Sequence, residues 1–264
     1  MTTTDKYLRV NTDSWDARTK DHLNSNFYNV AGFLKGETSL QEIELAELPE
    51  VKGKRVLHLQ CHFGMDTLSL ARMGASRVVG VDISPVAIDA AKQLAHQTHL
   101  DHVEFICCDV LSLQQHLQAP LEFDLVFVSY GALCWLADLN AWAQLIHHYL
   151  APQGQLYLAE FHPCYTLVYD KASYFFQSQP DHFEEQSYVE GHQQSQPFYC
   201  WSHSIAEVVS ALIDAGLKLQ MLHEFDFSPY DCFEQLEERQ PGRYYPAGIP
   251  HNVPMVFSLL AQKA

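Results

Sequence analysis

Val56-Leu57-His58-Leu59-Gln60-Cys61-His62-Phe63-Gly64 and, a helix later, Val79-Gly80-Val81-Asp82-Ile83-Ser84 are the stretches whose reading decides the fold. Each is a short apolar run ending in polar residues and a turn. Runs this short, bounded by turn signals, read as strands buried on both faces. Val56–Leu59 is thus the first strand. Gly64 turns the chain into a helix over Met65–Met73, ended by Gly74. Arg77–Val81 is the second strand. Ser84 caps a helix with Pro85 in its first turn, running to about Ala95.

Downstream the alternation continues. His102–Cys107 reads as a third strand and Leu111–Leu117 as a short helix. Phe123–Ser129 is apolar on both faces and therefore a central strand. Leu139–Leu150 is a helix, Pro152-Gln153-Gly154 a turn and Gln155–Glu160 a fifth strand. Apolar strands separated by helices give a parallel sheet covered on both faces, and right-handed crossovers make it doubly wound. Ser204–Ala215 is a further helix. Leu217–Glu224 and Pro254–Ala261 complete seven strands, the last two a hairpin with a long connection.

The flanks are less regular. Residues 1–50 read as an N-terminal cap. It holds a short helix around Asp13–His22, an aromatic-rich loop over Asn24–Gly36, and a helix from Ser39 to about Leu48. Thr38 and Gln41 have the capping-box spacing for that helix. Residues 51–264 form the main α/β domain, with an insertion over 161–203. Ser173–Gln177 and Gln186–Val189 are the expected short antiparallel strands of that insertion.

An open parallel sheet binds ligands beyond the carboxyl ends of its strands, near the point where strand order reverses. The candidate residues are therefore those that follow each strand. After the first come Gln60 to Gly64, where a tight turn exposes free backbone N–H groups. After the second comes Asp82, 18 residues beyond Gly64, close to the offset of an acid that binds ribose hydroxyls. After the third comes Asp109, suited to accept from an adenine amino group. After the fourth come Ser129, Tyr130 and Gly131. A strand-end acid alone is often only a cap; two in consecutive units strengthen each other. A dinucleotide-binding domain needs G-x-G-x-x-G for its pyrophosphate. Gln60 and His62 fill the first two glycine positions here and oppose a nicotinamide cofactor.

Bulk composition bounds the rest. The 264 residues are 47% hydrophobic and 18% charged, enough for a large core. A net charge of −16, without a basic run, disfavours nucleic acid as a partner. No stretch suits a membrane helix, and the first residues do not resemble a signal peptide. Seven cysteines without CxxC spacing point to reduced thiols and a cytoplasmic setting. His147-His148 lacks the i, i+4 spacing of a metal pair, and no metal is expected. A homodimer stays open.

The two opening stretches resemble motifs I and II of class I S-adenosylmethionine-dependent methyltransferases, whose first motif reads like V-L-D-L-G-C-G-x-G. The superfamily resemblance covers roughly residues 50–160. A narrower bacterial group is similar over most of the chain. It shows Ser14-Trp15-Asp16-Ala17-Arg18, Leu57 to Gly64, Ser129 to Leu136, Glu160 to Pro163 and Ser228 to Tyr230. The resemblance implies a seven-stranded methyltransferase sheet, with S-adenosyl-L-methionine as cofactor and S-adenosyl-L-homocysteine as product. It implies that Asp82 binds ribose, Ile83 packs on adenine, Asp109 and Val110 hold the adenine edge, and Gln60 and Gly64 line the methionine. Trp15, Tyr28, Cys61, His62, Thr67, Ser84, Ser129 and Tyr130 complete the expected cofactor set. His58 stands where the usual acid helps position the methionyl amino group. Gln60 can offer a side-chain carbonyl instead.

Methyl transfer from a sulfonium is an in-line displacement that requires positioning and, for some acceptors, a base. The candidate catalytic residues follow strands four and five: Tyr130, Glu160 and His162. Trp15, Arg18, His22 and Tyr28 together with the insertion form the expected lid. Tyr165, Tyr169, Tyr174, Phe198, Tyr199 and Trp201 either wall an apolar pocket or pack the insertion. Arg18, His22, Tyr165 and Tyr199 are the acceptor candidates, with Arg18 suited to a substrate or cofactor carboxylate. The expected acceptor is a small molecule with an O, N or S nucleophile; net charge leans slightly toward a cationic or neutral one. The alternatives are a nicotinamide-dependent oxidoreductase and a catalytically silent S-adenosylmethionine-binding module.

Overall fold

A computed structural model describes residues 3–118, 122–169, 173–190, 194–249 and 252–264, with the backbone alone at 3, 166, 168 and 169. The cap contributes α1 (Thr3–His22), α2 (Val30–Leu34) and α3 (Glu42–Glu47). The main domain follows as β1 (Arg55–Leu59), α4 (Met65–Arg72), β2 (Arg77–Asp82), α5 (Pro85–Gln97) and β3 (Glu104–Cys107). Then come β4 (Phe123–Ser129), α6 (Leu139–Tyr149) and β5 (Leu150–Phe161). The remainder is α7 (Pro163–Tyr169), β6 (Asp181–Glu185), β7 (Gln196–Cys200), α8 (Ile205–Asp214), β8 (Leu217–Phe225), β9 (Leu236–Gln240), β10 (Arg243–Pro246) and β11 (Val256–Lys263).

Seven strands form one sheet in the order β3-β2-β1-β4-β5-β11-β8. β1, β2, β3, β4 and β5 pair in parallel; β11 runs antiparallel to both β5 and β8. Strand order reverses between β1 and β4, which fixes the ligand crevice above Leu59 and Ser129.

Alternation along each strand splits the core in two. Leu57 and Leu59 face a layer built on α6 and α8. Val56, Leu125 and Phe127 face a layer built on α4 and α5. Trp142, Tyr149, Tyr157 and Phe127 are among the largest fully buried side chains. A third, smaller cluster around Tyr165, Phe227, Tyr245 and Met255 anchors the later insertions.

Four local expectations are corrected. α1 spans twenty residues rather than ten, because its buried face is polar and escapes an apolar-periodicity test. The insertion forms its hairpin at β6 and β7, not at Ser173–Gln177 and Gln186–Val189. The capping box joins Gln41 to Glu44, so α3 starts at Glu42. The connection between β8 and β11 carries its own hairpin, β9–β10. Among the described residues no helix is long and apolar enough to cross a membrane. None of them group as three or more metal-ligating side chains.

Candidate active site

The loop after β1 has the backbone of a glycine-rich turn without the glycines. Gln60 and His62 sit at φ 55° and 51°, the left-handed region that costs a side-chain-bearing residue about 1–2 kcal/mol each. The surroundings hold both in place. Gln60 Nε2 donates to the Ala132 carbonyl at 2.7 Å. The His62 N–H donates to Asp82 at 2.8 Å. The third turn position must be glycine. A Cβ on Gly64 would lie 2.7 Å from the Phe105 ring and 2.9 Å from Ala91.

Asp82 ends β2 and accepts from two backbone N–H groups, His62 at 2.8 Å and Ser84 at 2.9 Å. Burial pushes its carboxyl up to about 6. Asp109 accepts from the Leu111 N–H at 3.2 Å, and burial raises its pKa as well. Both acids thus cap local turns and still face the crevice.

His58 is buried on the α4 side, where its Nδ1 meets Thr67 Oγ1 at 2.8 Å. Burial drives its pKa down to about 3, so it is neutral. A carboxylate that the motif does not announce lies nearby. Asp66, in the first turn of α4, accepts from Ser39 Oγ at 2.6 Å and Ser129 Oγ at 3.0 Å. It lines the crevice, and no ion pair engages it among the described residues. Acids are common in the first turn of a helix for dipole reasons alone, which hides its second use in the sequence.

A cavity of about 1190 Å³ runs from this loop beneath α1 and the β6–β7 hairpin. A single small-ligand site occupies ~300–1,000 Å³, so a cofactor and a second molecule fit together. Its wall holds Trp15, Arg18, Tyr28, Gln60, Cys61, His62, Gly64, Asp82, Ile83, Asp109, Val110, Ser129, Tyr130, Glu160, His162 and Tyr165. Four expected site residues are not on that wall. Thr67 sits behind His58. Ser84 caps α5 and donates to Asp16 of α1. His22 is fully buried, its ring nitrogens meeting His62 at 3.2 Å and Ser187 at 2.8 Å. Tyr199 points to the far face of β7, where its ring packs on Tyr7 with centroids 4.6 Å apart. Phe198 and Cys200, on the opposite face of the same strand, do line the cavity, as strand alternation requires. Trp201 lines it too, Tyr174 stands edge-on to Phe175 instead, and the Tyr169 side chain lies outside the described residues.

The roof is tied down by polar contacts. Both amide atoms of Asn11 pair with the Tyr199 backbone, at 2.9 and 2.8 Å, as an edge strand would. Trp15 stands edge-on to His62 and to Trp135, each with centroids 5.2 Å apart.

The three candidate bases are all engaged. The Glu160 carboxylate is buried and accepts from the N–H groups of Gly131, Ala132, Leu133 and Phe161, at 2.5 to 2.9 Å. His162 accepts from the Cys164 N–H at Nδ1 and meets Glu224 at Nε2, 2.8 Å away. The Tyr130 hydroxyl donates to Glu44 Oε2 at 2.6 Å, and burial lifts Glu44 to about 7.

A doubly wound sheet with its last strand reversed, and a crevice flanked by two strand-end acids, defines the class I S-adenosylmethionine-dependent methyltransferases. The chain belongs to the methyltransferase-domain family, whose model matches residues 50–226. It is an enzyme, and its cofactor is S-adenosylmethionine. It is similar to an uncharacterized protein of Haemophilus influenzae, with 23% identity over 75% of this chain and 83% of that one. It is 31% identical to the tRNA 5-carboxymethoxyuridine methyltransferase of Escherichia coli over 49% of this chain. That match spans about half of the Escherichia coli enzyme, 51%. The crystal structure of an S-adenosylmethionine-dependent methyltransferase from Mesorhizobium loti superposes with a TM-score of 0.58 and 20% identity. It covers 87% of this chain and 100% of that one.

Proposed function

We propose that this enzyme methylates a small-molecule acceptor enclosed between the post-β1 loop and the roof of α1 and β6–β7. The observation that carries this reading is the roofed, aromatic cavity continuous with the loop. A tRNA acceptor, by analogy with the Escherichia coli relative, requires an open basic approach. A net charge of −16 and a cavity walled on one side by α1 favour a small molecule.

The walls fit the cofactor. Asp82 takes the ribose hydroxyls on the lone pairs its backbone partners leave, with Ile83 beside the adenine. Asp109 and Val110 take the adenine edge. The N–H groups of the first turn of α4, which have no partner within the helix, take the methionyl carboxylate. Gln60 Oε1 is a buried acceptor with no partner among the described residues, and Gln60 Nε2 fixes its direction. With the Asp66 carboxylate it makes an ammonium site that replaces the acid missing at His58. When bound, the cofactor supplies an electrophilic methyl group. The protein supplies placement and exclusion of water. Glu160 holds the post-β4 loop at the transfer point rather than accepting a proton.

Asp66→Asn removes a charge-assisted contact worth about 2 kcal/mol, roughly a 30-fold loss. Isothermal titration is expected to show S-adenosylhomocysteine weakened by that factor. 5′-Methylthioadenosine, which lacks the amino acid, should bind unchanged. Equal weakening of both ligands would refute the ammonium site.

Methyl-labelled S-adenosylmethionine incubated with the protein and a cell extract tests the acceptor class. Label is expected in the small-molecule fraction together with S-adenosylhomocysteine release. Label confined to RNA or protein contradicts the proposal. Tight S-adenosylhomocysteine binding with no labelled product in any fraction makes the chain a silent binding module.

A further inference from the structure

We propose that Arg18 anchors a carboxylate of the acceptor, so that the enzyme's substrate is a small aromatic or apolar carboxylic acid. The inference rests on the methyl-transfer reading above and names the substrate class of the same cavity.

Arg18 is only 6% exposed, yet it lines the cavity. Its Nε donates to Ser14 Oγ at 3.3 Å, one helical turn back, which fixes the fork. The guanidinium lies over the Phe198 ring, 4.9 Å from its centroid. Among the described residues no carboxylate comes within ion-pair distance of it. Glu185 lines the same cavity and contributes a field at Arg18 but no contact, its own side chain being exposed to solvent. Burial without an ion pair in contact works against the charged guanidinium and, despite the field of Glu185, lowers its pKa. Such a cation is stable when a ligand brings the missing anion, and a guanidinium fork suits a carboxylate.

The location favours the acceptor over the cofactor as the source of that anion. Arg18 packs on the β6–β7 hairpin, whereas Asp16 and Thr19 of the same helix face α5 and the post-β1 loop. From Phe198 an apolar wall continues to Trp135, with ring centroids 5.5 Å apart. Trp135 Nε1 donates to the Gly131 carbonyl at 2.7 Å, beside the transfer point. An acceptor held by its carboxylate at Arg18 therefore lays an apolar or aromatic body along Phe198 and Trp135. Its nucleophile reaches the post-β4 loop. The global charge of −16, which leans toward a cationic or neutral acceptor, matters less than the cation in the wall.

The test is a titration of the protein saturated with S-adenosylhomocysteine. The probes are 4-hydroxybenzoate, 4-hydroxyphenylacetate and 3-(4-hydroxyphenyl)propanoate, each paired with its amide. At least one acid is expected to bind ten-fold or more tightly than its amide. Arg18→Gln is expected to erase that preference and leave S-adenosylhomocysteine affinity within two-fold. If R18Q does not fold, Ser14→Ala serves: it should weaken the acid about three- to ten-fold and leave the amide unchanged. Acids and amides binding alike, or no acid binding at all, overturns the proposal. So does an R18Q loss for S-adenosylhomocysteine that spares 5′-methylthioadenosine, because Arg18 would then hold the cofactor's carboxylate. Failure of the wild type to bind S-adenosylhomocysteine would instead sink the underlying methyltransferase reading.

Discussion

Glu160→Ala is expected to lower the unfolding free energy by about 4 kcal/mol, because it strips a partly buried loop of its acceptor. One carboxylate at the end of β5 takes four backbone N–H groups, three of them consecutive at Gly131, Ala132 and Leu133. No neighbouring side chain among the described contacts substitutes for it. Each buried donor left unpaired costs about 1–3 kcal/mol, and partial relaxation keeps the total below the simple sum. Glu160→Gln retains one oxygen acceptor and should cost roughly half as much. Urea unfolding of the three proteins checks this. If Glu160 acts as a base, turnover falls in E160Q while stability stays within about 0.5 kcal/mol of wild type. That result would reverse the assignment.

The loop Glu160 holds is also where sequence reading and geometry part. The parallel strands, the switch point and both strand-end acids are legible because buried strands must be apolar and each ends at a ligand-facing turn. Glu160 reads only as an acid after strand five. Nothing in its type or position says that it faces backbone donors rather than an acceptor molecule. Burial decides, and burial of a single polar residue has no periodic signature.

The roof escapes for a related reason. Asn11, Ser14, Arg18, Thr19 and His22 form the buried face of α1 at helical spacing. A search for apolar residues at that spacing finds Trp15 and little else, so only the last half of the helix is read. In the β6–β7 hairpin, β6 is likewise mostly charged and exposed; the apolar residues facing inward are Phe183, Phe198 and Cys200, with the two rings stacked 5.4 Å apart. α1 is held by polar contacts to β7, α5 and the post-β1 loop, and the hairpin by its bonds to α1 and by Phe198 packed on Trp135, not by a core of their own. Asp66 is overlooked because an acid in a first helical turn already has a sufficient explanation in the helix dipole.

Asp82→Ala carries the largest expected effect on binding, a loss of S-adenosylhomocysteine affinity of about a thousand-fold. Two contributions add. In the proposed cofactor pose the carboxylate bonds both ribose hydroxyls, and the variant loses these contacts, each worth about 1.5 kcal/mol for a charged acceptor. It also releases the His62 N–H, which Asp82 holds at 2.8 Å. His62 sits at φ 51°, a strained geometry that survives only while its surroundings enforce it. Without Asp82 the loop relaxes toward ordinary φ. Gln60 and Gly64 then move off the positions proposed to grip the methionine, at a further cost of about 1 kcal/mol. Near 1.4 kcal/mol per tenfold, the sum of about 4 kcal/mol gives the stated loss. A second substitution separates the parts. His62→Gly relieves the strain and restores the residue type usual at that turn, so the double variant D82A/H62G should recover about five- to ten-fold of the affinity lost in D82A. Calorimetric titration of the four proteins reads both steps. No recovery in the double variant would mean that the ribose contact alone accounts for Asp82, and that the left-handed His62 is incidental to the cofactor grip.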